Sequence, residues 1–327
     1  MGYASHRRRR KTPRLHKSGH PRAIEKKHYI APVKSSQATI GMATLLIVLS
    51  ALGFGSISVL TLLITRAGLP LVAAMAWRYV LAAMLLAVVA RPTQLKSIAP
   101  KKIAAMLLIG AIGQTLVTYV SLSALEYIPV GPLAFLFFTF PAWVALLAAV
   151  RGTERLTLVR VVALTLALLG VAIMVGAPSA DKLHPIGVVL ALGSALLYTV
   201  YLPTLESAQS GIPAMLSAFL LVVGAGTAFT IVAVLTGNFQ VPAAADLWAN
   251  LLLLSLVATV IAFSALLRGL DVLGPVRTAI IATVEPFFTA VLGALVLSDR
   301  VTVTTLIGGA LIAAAVILIQ WSSTRAR

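Results

Sequence analysis

Ten apolar runs follow one another between residues 40 and 322, each about as long as a membrane-crossing helix. Such a helix needs roughly 20 residues. The runs occupy 40–64, 70–90, 103–125, 129–150, 158–176, 185–205, 212–236, 247–268, 277–298 and 302–322. No other feature constrains the fold as much. A backbone in lipid must satisfy its hydrogen bonds internally, which leaves α-helices and closed barrels. Barrel strands alternate apolar and polar residues. These runs are continuous, so the sequence predicts an all-α integral membrane protein of ten transmembrane helices. Hydrophobic residues make up 60% of the chain and charged residues 11%, against about 45–50% and about 25% in soluble proteins.

The connections are short and hold turn residues, as in AGLP, RGTERLT and TGNFQVPAAAD, so consecutive helices are expected to run antiparallel. Loop Lys and Arg residues set orientation, the cytoplasmic side carrying the excess. With the first terminus in the cytoplasm, that side receives ten of them: Arg91, Lys96, Lys101, Lys102, Arg151, Arg155, Arg268, Arg277, Arg325 and Arg327. The opposite side receives three: Arg66, Lys182 and Arg300. Both termini are therefore expected in the cytoplasm, and the membrane is expected to be a bacterial plasma membrane.

The net charge of +17 is concentrated in residues 1–37, which hold eleven of the 26 Lys and Arg residues and one acid, Glu25. This stretch has little apolar content and no periodicity, so it is expected to be disordered. Its expected partner is the anionic headgroup layer of the bilayer, and nucleic acid is not expected. It lacks the short apolar core and cleavage site of a secretory signal.

An internal repeat sets the architecture. AFLFFTFPAWVALLAAVRGTERLTL (134–158) aligns with AIIATVEPFFTAVLGALVLSDRVTV (279–303) at an offset of 145, which pairs Pro141 with Pro286, Glu154 with Asp299 and Arg155 with Arg300. The same offset pairs Leu125-Glu126 with Leu270-Asp271, and SALGFGS (50–56) meets SALLYTV (194–200) at an offset of 144. The halves are 38–180 and 181–323, leaving tails at 1–37 and 324–327. Five helices per half is an odd number, so the second half enters the membrane inverted. Inverted repeats allow two halves to rock about a midplane site, exposing it to each side in turn.

Each half ends with AL or GL, an acidic residue, a short turn, an apolar helix with a central Pro and an acidic-Arg pair: ALEYIPVGPLAFLFFTFPAWVALLAAVRGTERLTL and GLDVLGPVRTAIIATVEPFFTAVLGALVLSDRVTV. With the small-residue helices LLGVAIMVG and LIGGALIAAAVILI and the stretch AWRYVLAAMLL, this resembles the EamA-type branch of the drug/metabolite transporter superfamily. The resemblance covers about residues 40–322. It implies two five-helix repeats and secondary transport, mostly outward, of amino acids, metabolites or drug-like solutes. A Trp-Gly pair often found in the first helix of that family is Phe54-Gly55 here, which keeps an aromatic ring and loses the indole N–H.

Two ionisable residues lie deep in the runs, Arg78 and Glu285. Each is about eight residues, or roughly 12 Å, from a helix end. A charge at that depth costs at least about 2.5–3.5 kcal/mol and normally faces a cavity or a partner. Glu285 reads as a proton-coupling site, a site for a substrate ammonium, or a packing group. Arg78 reads as a counter-ion to an anionic substrate group or to Glu285, or as a clamp on backbone carbonyls. Pro286 removes a backbone N–H and frees the carbonyl of Ala282, so Pro141 and Pro286 are expected to kink their helices.

Pseudo-symmetry extends the candidate site. Phe140 is the counterpart of Glu285, Phe54 of Tyr198 and Phe263 of Thr118; Gln114 and Thr118 share one face of the third helix. An apolar, aromatic pocket with few polar anchors suits a small-molecule substrate. The Gly-rich pieces LGFGS, LLIGAIG and LIGGA follow no strand, so they are expected to serve close helix packing rather than phosphate binding. The spans hold no His, no Cys and one carboxylate. This argues against an intramembrane enzyme, and no cofactor or metal is expected. A channel or scaffold remains as an alternative, and the reading admits a homodimer.

Overall fold

The computed structural model describes residues 1–2, 37–90, 92–128, 130–153, 156–175, 184–297 and 303–325. The basic tail, the pairs Glu154–Arg155 and Asp299–Arg300, and Arg91, Lys182 and Arg327 lie outside the described residues. Among the described residues there are helices and no strand. α1 (Gln37–Arg66) is followed by α2 (Leu71–Val89). α3 (Pro100–Leu108) widens into a π-helical segment, Ile109–Gln114, and continues as α4 (Thr115–Ser123). α5 (Val130–Phe137), α6 (Phe140–Val150) and α7 (Leu158–Val175) close the first half. α8 (Pro185–Gln209) and α9 (Ala214–Leu235) open the second. α10 (Ala245–Ser255) widens into a second π segment, Leu256–Ile261, and continues as α11 (Ala262–Ala282). α12 (Glu285–Leu297) and α13 (Val303–Arg325) complete the described chain.

Among the described residues six stretches are long and apolar enough to cross a membrane: Thr39–Arg66, Leu71–Val89, Pro100–Glu126, Pro185–Gln209, Ala214–Leu235 and Ala245–Ala282. Phe140–Val150, Leu158–Ile173 and Leu306–Leu318 are apolar but shorter. Residues Ser35–Arg327 form one compact unit. Within it α1 packs along α11 and α12, α2 along α9, α7 along α13, and α4, α5 and α6 against α8. Helices of the first half thus pack on helices of the second.

The two halves repeat local devices as well as sequence. Gly68 and Gly211 both have positive φ (93° and 75°), and Pro70 and Pro213 then stand at the N-caps of α2 and α9. A left-handed turn residue favours Gly, and a helix start tolerates a missing N–H. Among the described residues each half has one π segment, in its third helical stretch. End contacts fix which connections share a face of the bundle: Lys102 Nζ donates to the Ser210 carbonyl (2.6 Å), while the Tyr127 and His184 rings lie 5.3 Å apart. His184 Nδ1 also accepts from the Ile186 N–H (3.3 Å), so this lone loop histidine caps α8.

One expectation needs correction. Pro141 and Pro286 do not kink continuous helices. The helix stops, turns over residues 138–139 and 283–284, and restarts with Phe140 and Glu285, so each Pro is the second residue of a new helix. There its missing N–H costs no helical bond. The break expected between residues 268 and 277 is present and short: within α11 two helices meet at a kink at Gly274 (φ 74°, ψ 171°), just before Pro275. One glycine in a conformation essentially closed to other residues replaces a whole connection. Gly274→Ala is therefore expected to destabilise the protein by about 1–3 kcal/mol, read as a lower midpoint of thermal unfolding in detergent; an unchanged midpoint contradicts the assignment.

Candidate functional site

The N-terminal ends of α6 and α12, both ends of α11, part of α5 and the middles of α1, α2, α4 and α8 surround one cavity. It offers about 140 Å³ to the centre of a water-sized sphere. Since one water needs about 10–15 Å³ by that measure, the space suits a solute of roughly ten heavy atoms. Phe54, Arg78, Gln114 and Thr118 line it from the first half, together with Phe140. Tyr198, Phe263 and Glu285 line it from the second. All eight residues selected from the sequence therefore border the same space. Pro141 and Pro286 set the helix starts beside it.

Phe54 is placed by the glycines on either side of it. A Cβ on Gly53 would come within 2.8 Å of the Val257 carbonyl in the second π segment, and one on Gly55 within 3.2 Å of the Glu285 carbonyl. α1 thus lies directly on both the π segment and the first turn of α12. Between these contacts Phe54 meets Phe263 edge-on, centroids 5.0 Å apart. Across the cavity Phe140 stands edge-on to Tyr198 at 4.7 Å, and Phe137 meets both. Such pairs hold ring orientation more firmly than apolar burial alone.

Arg78 is 1% exposed. Its Nε donates to Thr259 Oγ1 (2.8 Å) and its Nη2 to the Ala258 carbonyl (3.0 Å), both in the second π segment; Nη1 lies 3.8 Å from Met75 Sδ. Ser255 Oγ returns a bond to the Arg78 carbonyl (2.9 Å), and the guanidinium carbon lies 5.0 Å from the Tyr79 ring centre. The clamp on backbone is thus one role of Arg78. Its partners are neutral groups, Thr259 and Ala258 of the opposite half and Met75 of its own helix, and the pairing with Glu285 admitted from the sequence does not form.

Gln114, the last residue of the first π segment, organises a second polar cluster. Its Nε2 donates to Tyr79 Oη (3.0 Å) and Thr118 Oγ1 (2.8 Å), while Tyr201 Oη donates to its Oε1 (2.7 Å). Tyr79 stacks on Phe229 of α9. Tyr201→Phe removes one buried bond and is expected to cost about 1 kcal/mol, seen in thermal unfolding; no change would mean that the cluster does not order the wall.

Glu285 is half-buried and is the one carboxylate in the cavity lining. Among the described residues no hydrogen bond or ion pair engages its carboxylate; the bond from Thr289 Oγ1 goes to its backbone carbonyl (3.2 Å). Ser50 Oγ, also in the lining, is buried without a partner among the described residues. The cavity therefore combines aromatic walls, an anchored cation, an unengaged carboxylate and an unsatisfied hydroxyl. That set can bind, orient and exchange a proton with a small solute; it contains no nucleophile–base pair.

Tyr79, Tyr201 and Thr259 were not legible as site residues by depth or charge. Signals for them existed. Tyr79 follows Arg78, Tyr201 lies one helical turn from Tyr198, and Thr259 stands 145 residues after Gln114.

A chain of long apolar helices, built of two like halves around a shared cavity, is an integral membrane protein of the solute-translocating kind. Matches to the EamA-like transporter family cover residues 41–176 and 185–321, one for each half. The chain belongs to this family, within the drug/metabolite transporter superfamily. A solved structure titled only "Crystal structure of protein" has the same fold: TM-score 0.70 at 17% identity, covering 88% of this chain and 99% of that one. Comparison with curated proteins finds no match.

Proposed function

We propose that the protein is a secondary active exporter of small metabolites, amino acid-like or drug-like. In this reading ten spans form two inverted five-helix halves, with both termini in the cytoplasm of a bacterial cell. The halves rock about the cavity, which takes the solute at the midplane and opens to each side in turn. One observation carries the proposal: a cavity lined by both halves holds a lone carboxylate, Glu285, at the start of a broken helix. Broken helices facing a midplane cavity are a recurrent transporter device. A carboxylate at that depth facing a cavity is a candidate group to take up a proton and give it up again as the solute leaves.

The test begins with purified protein in liposomes loaded with a metabolite extract. Untargeted mass spectrometry compares what crosses with and without the protein. A transporter moves a restricted set of solutes, and the initial rate saturates with solute concentration. Flux that rises linearly with concentration, or discrete single-channel currents, would favour a channel instead; no solute-selective flux would favour a scaffold.

A further inference from the structure

The cavity holds a buried cation that no anion contacts. Arg78 is 1% exposed, and all three of its hydrogen-bond acceptors are neutral: a hydroxyl, a carbonyl and a thioether. A charge buried without an opposite charge is costly, and insertion into the membrane adds to that cost. Glu285 shares the lining but does not relieve it. Neither charged residue in the cavity is neutralised by the other.

The way Arg78 is held also matters. A guanidinium presents five N–H groups in a rigid planar fork. The edge formed by Nε and Nη2 is occupied by Thr259 Oγ1 and the Ala258 carbonyl. Nη1 and Nη2 each keep one further N–H with no acceptor among the described residues. Two parallel N–H groups at fixed orientation match the two oxygens of a carboxylate or phosphate. The anchoring comes from the opposite half: Thr259 and Ala258 lie in the second π segment, and Ser255 fixes the Arg78 backbone. The side chain is thus preorganised, so binding an oxyanion costs little further ordering. Next to it the aromatic wall provides a surface for the rest of the solute.

We propose that Arg78 is the oxyanion-recognition group of the cavity, and that the solute carries a carboxylate or phosphate group beside an apolar body. The proposal rests on the reading that this cavity is the substrate site. It goes further by naming the chemistry of one end of the substrate.

Three probes that share a phenyl body separate the two readings: 3-phenylpropionate, phenyl phosphate and the neutral 3-phenylpropan-1-ol. Their binding to the full chain in lipid nanodiscs is measured by calorimetry. At least one anion is expected to bind about tenfold or more tightly than the alcohol, a difference of about 1.4 kcal/mol. The tighter of the two anions tells whether the natural group is a carboxylate or a phosphate. Arg78→Gln should abolish the preference, so that anions and alcohol bind alike; Arg78→Lys, which keeps the charge and loses the fork, should retain only part of it. The wild-type comparison needs no variant: an alcohol that binds as tightly as both anions overturns the proposal and leaves the cavity as the site. A preference that survives in a folded Arg78→Gln protein also overturns it. If none of the three probes binds saturably, both the proposal and the reading of the cavity fail.

Discussion

Glu285→Gln is expected to abolish coupling of solute movement to a pH gradient while leaving the protein folded. If one proton exchanges per solute, a gradient of one pH unit drives about tenfold accumulation, worth about 1.4 kcal/mol. The variant should accumulate no solute against its gradient under any pH difference, and exchange of solute for solute should persist. The fold has little reason to suffer. The carboxylate engages no partner among the described residues, and the contact that α12 makes with Gly55 of α1 uses the Glu285 carbonyl, which Gln keeps. The substitution also preserves shape. What it loses is a negative charge in the first turn of α12, worth about 0.3–1 kcal/mol with the helix dipole. Reconstituted flux at several imposed pH differences, beside thermal unfolding in detergent, reads both halves of the expectation. Arg78 and Tyr198 remain in the variant, so a gradient dependence that survives assigns the proton elsewhere.

The largest effect on stability is expected at Gly110. This residue lies in the first π segment, and a Cβ there would run into the Leu221 carbonyl of α9. The contact is reciprocal, because a Cβ on Gly224 of α9 would run into the Leu107 carbonyl of α3. Both obstacles are backbone, so no side chain can rotate to make room. Gly110→Val has to push two helices of opposite halves apart, and overpacking of this kind costs about 1–3 kcal/mol or more. The displacement also strains the cluster around Gln114, since Gln114 lies on one separating element and its partner Tyr79 stacks on Phe229 of the other. The variant should unfold at a lower temperature and transport poorly. Gly193→Ala is the control: nothing lies within 4 Å of a Cβ at Gly193, and Ala in a helix is favoured over Gly by roughly 0.5–1 kcal/mol. Equal unfolding midpoints for Gly110→Val and wild type would show that this close approach does not hold the halves together.

Much of this fold was legible because lipid leaves few choices. Continuous apolar runs impose helices, and a constant offset between Pro141 and Pro286 exposes the repeat. The cavity followed from the same offset. Once Glu285 was judged too deep to lie in lipid, its counterpart Phe140 and the paired aromatics were bound to face the same space if the halves met there. Other features left no composition signal. The π segments are a matter of hydrogen-bond register within stretches that read as ordinary apolar helix, and no residue type announces an i→i+5 bond. The break at Gly274 was legible in its place, between Arg268 and Arg277, but not in its length, because a single positive-φ glycine suffices for it. The proline breaks were half legible: a Pro in an apolar helix signals an interruption, but kink and restart differ only in whether the preceding two residues stay helical. Tyr79 and Tyr201 carry no charge, so depth alone did not mark them, although they complete the cluster around Gln114.

The central claim is that one cavity between the halves opens to each side of the membrane in turn. The chain contains no cysteine, so a single Ser58→Cys substitution in the cavity lining gives one reactive thiol in an otherwise native protein. Its reaction with a membrane-impermeant thiol reagent is measured in sealed vesicles, with the reagent added to one side or the other, and with or without a solute identified by the flux screen. Alternating access requires labelling from both sides and a slower rate when the solute is bound. Labelling from one side only, at a rate the solute does not change, would contradict it.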